Sequence, residues 1–517
     1  MNYKLRQLVA ATLASTALLG FGANAFADST DDLLNALIAK GVLTEEEGAL
    51  LVNGRTLEKE AKLKKPELKF KDGMTIETPD GKHSISLNGR LHADYRNFTN
   101  YDSSNTGANT GAASDTFDIR RARIGFKGKF YENYEFEVSA DLASPTNSTQ
   151  SGGTTSVLDV AFLNINYFKQ AQLRLGQFKM PMNLEKVTSS NYIDFMERSY
   201  VNQFAPNEDR GVMLWGIPKD GLTYALALSN GEGKNRNEKD SRVDSMEYLA
   251  RGTVNFAQLM DNKDAVYHIG AAFSTTDLSK TSSNTTNDTN FLAGSNAVRT
   301  EGRGVNFFTF PTVVGIAGVD TAIERQRIAL EGVAAYGPVK LQTEYMKTNF
   351  NGNLTAAKSF DVDVNTWYAE ALWMITGEKY ADMYKDGAFG AIKPKNNFEM
   401  GKDGMGAWEL GLRYSKFDAS DFNSPLFVGA SATAGNTSVF NSATGATTVT
   451  NVTGIGSAVS NSTFKADAWT AGIKFVPNPN TRFLINYIRT RFDTPITIAG
   501  KPEDSESAIT MRAQYNF

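Results

Sequence analysis

The sequence ends with the stretch SESAITMRAQYNF, residues 505–517, in which apolar and polar side chains alternate. Successive side chains of a β-strand point to opposite faces of the sheet, so the alternation creates one apolar face and one polar face. The apolar face consists of Ile509, Met511, Ala513, Tyr515 and Phe517, and the polar face of Thr510, Arg512, Gln514 and Asn516. The stretch therefore predicts a strand that ends on an aromatic residue.

The same alternation recurs from about residue 83 to the end of the chain. In residues 84–98 and 133–142 the apolar side chains fall on one face and the charged side chains on the other. Gly, Asn, Ser and Asp residues lie between the alternating segments. We predict strands at 83–98, 115–130, 133–143, 156–168, 171–179, 208–217, 221–230, 245–257, 265–276, 322–336, 338–350, 363–377, 405–417, 464–476, 481–493 and 505–517. Sixteen strands of about ten residues are typical of an outer-membrane β-barrel, so the fold class is all-β, a 16-stranded antiparallel transmembrane barrel.

The connections between these strands differ in length, and the lengths predict the end of the barrel at which each lies. The short connections, expected at the periplasmic end, are 130–133, 168–171, 217–221, 257–265, 336–338 and 476–481. The long connections, expected to face outward, are 99–114, 143–155, 180–207, 230–244, 277–321, 351–362, 378–404, 418–463 and 494–504.

A soluble β-protein would use the apolar faces as a core, whereas a barrel turns them toward lipid and encloses the polar faces. A hydrophobic content of 41% excludes a helical membrane protein and permits both alternatives. Aromatic residues at the strand ends match the belts of a membrane barrel, and they include Tyr95, Phe98, Phe130, Tyr167, Tyr336, Tyr414 and Phe475. Because sixteen strands leave an aqueous channel, a pore is the expected function.

Residues 1–27 predict a cleavable secretory signal peptide. Lys4 and Arg6 precede an uncharged apolar stretch, and residues 25–27 offer a small-x-small cleavage site. A transmembrane anchor is the alternative, which the shortness of the segment and the acidic residues after it disfavour. Cleavage lowers the number of Lys and Arg residues from 53 to 51, against 57 Asp and Glu.

Residues 28–65 predict a helical, coiled-coil-like periplasmic extension. Leucines recur there at helical spacing, and residues 44–47, TEEE, fit a capping box that opens a second short helix. A linker is an equal alternative, because the segment offers few apolar residues to bury. Residues 66–517 are assigned to the barrel.

The composition excludes several classes of chemistry. The chain has no Cys and only 3 His, so disulfides, iron–sulfur clusters and thiolate zinc sites are excluded. Its net charge of −4 and the absence of a basic run give no electrostatic footprint for nucleic acid. We expect no cofactor, no metal site and no nucleic-acid partner.

Several stretches resemble the phosphate-selective porin O/P family of Gram-negative outer membranes. They are FDIRRARIGFKG at 117–128, LRLGQFKMP at 173–181, Glu185 with TSS at 188–190, and FMERS at 195–199. The stretch GVLTEEE at 41–47 is similar to the extension that precedes the barrel in many members. The resemblance implies a 16-stranded barrel, a homotrimer, and a long third loop that folds into the pore as its constriction.

The candidate for this constriction loop is 180–207. Its Pro181 and aromatic residues suit a short helix inside the lumen, where Lys186, Glu197 and Arg198 would lie close to permeating ions. An external loop with scattered charges is the alternative.

Anion selection in a pore depends on Arg and Lys side chains that provide both positive potential and hydrogen-bond donors. Candidates for the anion-facing wall are Arg90, Arg121, Arg123, Lys127, Lys129 and Arg512. A tight turn at 131–133 would set Lys129 opposite Glu135, Lys127 opposite Glu137 and Arg123 opposite Asp141, and these charges would largely neutralise each other. Arg121 and Arg90 have no such partner and are the first candidates.

The expected function is passive diffusion of small hydrophilic solutes, with anions such as phosphate or polyphosphate as permeants. A general porin is the first alternative, because loop 180–207 also carries Glu185, Asp194 and Glu197, and 277–321 carries few basic residues. A surface adhesin with a closed lumen is the second, because 277–321 and 418–463 are long.

An enzyme is the alternative of a different class. A Ser–His hydrolase needs a His beside an exposed Ser, but of His83, His92 and His268 only His83 has a Ser next to it in sequence. We therefore expect no enzymatic activity and no catalytic residues. The expected partners are two further copies of the chain in a homotrimer, outer-membrane lipid, and the assembly machinery that recognises the terminal strand ending in Phe517.

Overall fold

The computed structural model describes residues 44, 46, 66–70, 73–99, 113–143, 158–231, 233, 246–279, 291–292, 296–313, 322–355, 357–428, 437–441, 446–450 and 455–517. The predicted signal peptide and almost all of the predicted extension at 28–65 lie outside these residues. The chain divides into two units, residues 1–67 with 78–80, and residues 68–77 with 81–517. The second unit contains the barrel.

Sixteen strands form the wall of the barrel, and each predicted strand is present. They are β1 (Ser84–Phe98), β2 (Thr116–Phe130), β3 (Tyr134–Asp141), β4 (Leu158–Phe168), β5 (Ala171–Lys179), β6 (Glu208–Lys219), β7 (Leu222–Ser229), β8 (Glu247–Asn255), β9 (Ala265–Ser279), β10 (Ala322–Tyr336), β11 (Val339–Thr355), β12 (Lys358–Met374), β13 (Ala407–Asp418), β14 (Lys465–Asn478), β15 (Thr481–Ile498) and β16 (Lys501–Asn516).

Each strand pairs antiparallel with the next, and β16 pairs with β1, which closes the sheet. Ala513 lies opposite Ala93, and the backbone N–H of Gly89 donates to the carbonyl of Phe517 at 2.9 Å. A closed sheet leaves no row of unpaired backbone groups, which a wall in contact with lipid requires. Beside the barrel, a short strand, Met74–Glu77, pairs with the start of β1 and also with Glu67–Phe70.

Two connections predicted as outward loops are tight hairpins. Strands β11 and β12 stay paired to Thr355 and Lys358, so most of the predicted loop 351–362 is strand. Strands β15 and β16 stay paired to Ile498 and Lys501, and only Ala499 and Gly500 turn the chain, both at positive φ. The predicted lengths of the loops 351–362 and 494–504 were wrong, because polar residues near a strand end do not by themselves stop the pairing.

The predicted outward position of 378–404 was wrong. Tyr380 donates its backbone N–H to Gly337 at 3.1 Å, and Lys379 pairs with Asp264 at 2.6 Å, so this segment lies at the end that carries the short turns. In an up-and-down barrel the position of a connection follows from its place in the strand order and not from its length. Its side chains Tyr380, Met383, Tyr384 and Phe389 are buried against the inside of the wall.

The two faces of the wall have opposite character, as a membrane barrel requires. Leu91, Leu173 and Leu341 on the outer face are exposed, while Arg325, Arg327 and Arg413 on the inner face are fully buried. Burial of charge inside and exposure of apolar side chains outside invert the pattern of a soluble β-protein. No helix among the described residues is long and apolar enough to cross a membrane.

An aromatic cluster lies in the lumen beside strands β10–β15, at the end of the barrel opposite the short turns. Its rings come from three loops and three strands, and it consists of Tyr200, Phe204, Phe291, Phe307, Phe308, Phe310, Phe350, Phe417, Phe422 and Phe492. The described part of 277–321 is therefore folded into the barrel, and the prediction that this connection faces outward was wrong for those residues. Burial of its phenylalanines, each worth about 1.5–3 kcal/mol, provides the physical reason.

Candidate functional site

The connection between β5 and β6, residues 180–207, lies inside the lumen and contains two short helices, α1 (Leu184–Val187) and α2 (Tyr200–Phe204). Several contacts hold it against the wall. Arg512 Nη1 donates to the carbonyl of Met196 at 2.6 Å, and Asn486 Oδ1 accepts from the backbone N–H of Met196 at 2.8 Å. Lys340 Nζ pairs with Asp194 at 2.7 Å.

Glycines on the wall allow this loop to approach closely. A Cβ atom on Gly411 would lie 2.9 Å from the Phe195 ring, and one on Gly472 would lie 3.1 Å from it. Phe195 therefore packs directly on the strand backbones, and the guanidinium of Arg413 stacks over the same ring at 4.8 Å. We call residues 180–207 the constriction loop.

The described part of the connection between β9 and β10 forms a second inner loop, residues 296–313. Glu301 Oε2 of this loop pairs with Arg413 at 2.6 Å and accepts from Thr470 Oγ1 at 3.2 Å. Glu506 of β16 accepts from the backbone N–H of Val305 at 2.8 Å. Arg413 also contacts Glu185 at 3.5 Å and the carbonyl of Glu197 at 3.2 Å, so one guanidinium joins both inner loops.

The two inner loops and strands β1–β6 enclose a cavity of about 560 Å³, which we call the cationic cavity. Ten of the described residues that line it are basic and five are acidic. The basic residues are Arg90, Arg120, Arg121, Arg123, Arg174, Lys179, Lys186, Arg198, Arg299 and Arg303. The acidic residues are Glu137, Asp159, Glu197, Glu208 and Glu301. Positive side chains that line a cavity of this kind attract anions strongly, because the surrounding protein focuses the field.

Three of the six predicted wall residues line this cavity, Arg90, Arg121 and Arg123, as do the three predicted loop residues, Lys186, Glu197 and Arg198. The other three wall residues, Lys127, Lys129 and Arg512, are not among the lining residues. The predicted register is present, since Lys127 lies opposite Glu137, Lys129 opposite Glu135 and Arg123 opposite Asp141.

Arg512 pairs with an acidic residue of the neighbouring wall strand and does not line the cavity. Its Nε and Nη2 atoms donate to Asp94 at 2.7 and 2.8 Å, and its side chain is 1% exposed. Asp94 of β1 therefore accepts hydrogen bonds from two arginines, Arg512 of β16 and Arg96 of its own strand. Arg123 is likewise compensated, because it pairs with both Asp141 and Asp159.

Arg121 has no such compensation. It is 7% exposed, and its Nε and Nη1 atoms have no hydrogen-bond partner among the described residues. Arg90 donates from Nη1 to Ser190 of the constriction loop at 2.9 Å. A buried guanidinium with unused donors is costly, and an anion in the cavity would offset the charge of Arg121.

Arg120 also faces the cavity, which the alternation of the sequence did not predict. Along β1 and β2 the pairing passes from His92–Arg121 to Ala93–Ile119, so Arg120 is the extra residue of a β-bulge. A bulge places two successive side chains on the same face and is common beside functional sites. The sequence offered one signal, two adjacent arginines within an alternating strand.

Glu197 lies between arginines of the wall. Its Oε1 atom accepts hydrogen bonds from Arg96, Arg120 and Arg512 at 2.9–3.2 Å. Burial disfavours its charged form, yet Arg120, Arg303, Arg512 and Arg96 together hold the pKa of Glu197 well below its usual range. Glu197 therefore remains ionised in the cavity at neutral pH.

The histidines take part in structural contacts. His92 bonds Asn191 of the constriction loop at 3.1 Å, and His268 bonds the Tyr384 hydroxyl at 2.6 Å and Glu331 at 2.9 Å. His83 accepts from the backbone of Tyr131 at 3.5 Å. Over the part of the chain that the structure describes, no cluster of His, Asp and Glu has the arrangement of a metal site.

Residues 85–517 match the family model described as phosphate-selective porin O and P. The chain is 26% identical over 363 residues to Porin O of Pseudomonas aeruginosa, which covers 69% of this chain and 77% of that protein. It is similar to the solved structure of OmpT, an outer membrane protein of Vibrio cholerae, at a TM-score of 0.45 and 10% identity, covering 84% of this chain and 98% of that one. An anion-selective porin from Comamonas acidovorans matches at a TM-score of 0.45 and 13% identity, covering 84% of this chain and all of that one, 100%.

Proposed function

This chain belongs to the phosphate-selective porin O and P family and is a porin of the outer membrane. On that premise we propose that small anions, phosphate among them, diffuse passively through its lumen and are selected in the cationic cavity. The observation that carries the proposal is the excess of basic over acidic side chains in this cavity, together with the unused donors of Arg121.

The selection follows from the cost of removing an anion from water. In the cavity, guanidinium groups replace water as donors, and hydrogen bonds between charged groups are stronger than those between neutral ones. A cation gains nothing there, because the five acidic residues are outnumbered and most lie beside an arginine.

The assembly and maturation of the protein belong to the same proposal. The resemblance of the constriction region to the family supports a homotrimer in which each copy has its own pore. We infer that the signal peptide at 1–27 is removed on export, so that the mature chain begins at Asp28. We infer that the protein acts without catalysis, because the family to which it belongs consists of porins.

The test is the reversal potential of the purified protein in a planar bilayer under a KCl gradient. We expect an anion-favouring potential, conductance steps in groups of three, and partial block when phosphate is added. A potential near zero with no effect of phosphate would leave a general porin. The absence of channels in a folded preparation would favour a barrel with a closed lumen.

A further inference from the structure

Glu197 of the constriction loop occupies a cradle of three guanidinium groups at the edge of the cationic cavity. One carboxylate oxygen, Oε1, accepts from Arg96 Nη2 at 3.1 Å, from Arg120 Nε at 2.9 Å and from Arg512 Nη2 at 3.2 Å. This is the arrangement of donors that would bind an oxygen of a free carboxylate or phosphate.

The three arginines are not equivalent. Arg96 and Arg512 are also paired with Asp94, and their side chains are 5% and 1% exposed. Arg120 is 22% exposed and lines the cavity, and within the part of the chain that the structure describes its one ion pair is with Glu197. An anion in the cavity can therefore reach Arg120 directly, and Arg303 and Arg121 line the same space.

We propose that Glu197 is a tethered competitor of the permeating anion: its carboxylate holds Arg120 until an oxyanion enters the cavity and takes over that arginine. The ligand class is an anion with a carboxylate or phosphate group, whose oxygens match those of Glu197. This inference rests on the proposed passage of anions through the cavity.

Competition of this kind has a physical benefit for a pore. A pore conducts only if its site binds the ion well enough to admit it and weakly enough to release it. If Arg120 exchanges one carboxylate for another group of the same charge, few hydrogen bonds are gained or lost in the exchange. Strong donors can then select oxyanions without trapping them.

The experiment measures how phosphate blocks chloride current through single channels of wild type, E197Q and E208Q. Glu208 lines the same cavity but is not paired with Arg120, so E208Q removes one negative charge without releasing that arginine. We expect E197Q to bind phosphate about tenfold more tightly than wild type, and E208Q about threefold, because both variants change the field but only E197Q releases Arg120.

A second variant separates the geometry from the charge. E197D keeps the charge but is one methylene shorter, so its contact with Arg120 weakens. Competition predicts tighter phosphate binding in E197D than in wild type, whereas a field effect alone predicts no change. Migration on heat-treated and unheated gels verifies that each variant is a folded barrel.

The proposal is overturned if E197Q and E208Q tighten binding equally, if E197D equals wild type, or if E197Q weakens binding. These outcomes differ from failure of the proposed function, which a wild-type reversal potential without anion preference would establish.

Discussion

Arg121 is the residue for which the structure gives the clearest expectation of a role in selection. Its guanidinium is buried in the cationic cavity with Nε and Nη1 unpaired among the described residues. We predict that R121Q lowers the chloride-to-potassium permeability ratio about two- to fivefold, because the substitution removes one uncompensated positive charge from the cationic cavity. Barrel stability should be nearly unchanged, since the substitution removes a desolvated charge that has few protein partners. Reversal potentials in a KCl gradient measure the ratio.

Lys129 provides the matched control for R121Q. It lies on the same strand and opposite Glu135, but it does not line the cavity. K129Q should leave the permeability ratio close to that of wild type, because mobile ions screen a charge that lies outside the cavity. Equal effects of R121Q and K129Q would show that selection depends on total lumen charge and not on the cavity.

At the scale of elements, Arg413 of β13 connects the constriction loop to the second inner loop. It pairs with Glu301 at 2.6 Å and stacks on Phe195 at 4.8 Å. We predict that R413L destabilises this junction by about 3–5 kcal/mol, because Glu301 stays buried without its partner. The second inner loop should then detach, which raises conductance and current noise, while the heat-induced unfolding midpoint falls.

Arg491 provides the control for R413L. It pairs with Asp467 on the outer face, where its side chain is 61% exposed, and pairs of this kind contribute less than about 1 kcal/mol. R491L should therefore leave conductance and unfolding unaltered. A normal conductance in R413L would contradict the assignment of Arg413 as the junction of the two loops.

At the scale of the whole molecule, closure of the barrel brings the chain terminus against β1. A Cβ atom on Gly89 would lie 2.5 Å from the Phe517 ring and 2.8 Å from the carbonyl of Arg123. We predict that G89A lowers the stability of the barrel by about 1–3 kcal/mol through overpacking at the closing strands. The heat-induced shift in gel migration of refolded protein measures the change.

Gly252 of β8 is the control for closure, since a Cβ atom there meets nothing within 4 Å. G252A should refold and migrate as wild type does. If G89A matched G252A, the closing strands would have to be less tightly packed than the structure indicates.

The sequence by itself determined the number of strands, the antiparallel barrel and the position of Arg123 opposite Asp141. These features depend on an alternation of period two and on short turns, which are properties of neighbouring residues. Arg90 and Arg121 could be singled out in the same way, because the local register gave them no acidic partner.

Only the tertiary structure decided which arginines remain available. Arg512 is neutralised by Asp94, 418 positions away, and local pattern carries no information about such a contact. The bulge that turns Arg120 inward depends on how β2 fits β1, and the burial of residues 296–313 depends on phenylalanines from distant loops. The physical reason is that alternation sets the direction of a side chain, whereas its charge balance is set by whatever the closed barrel places beside it.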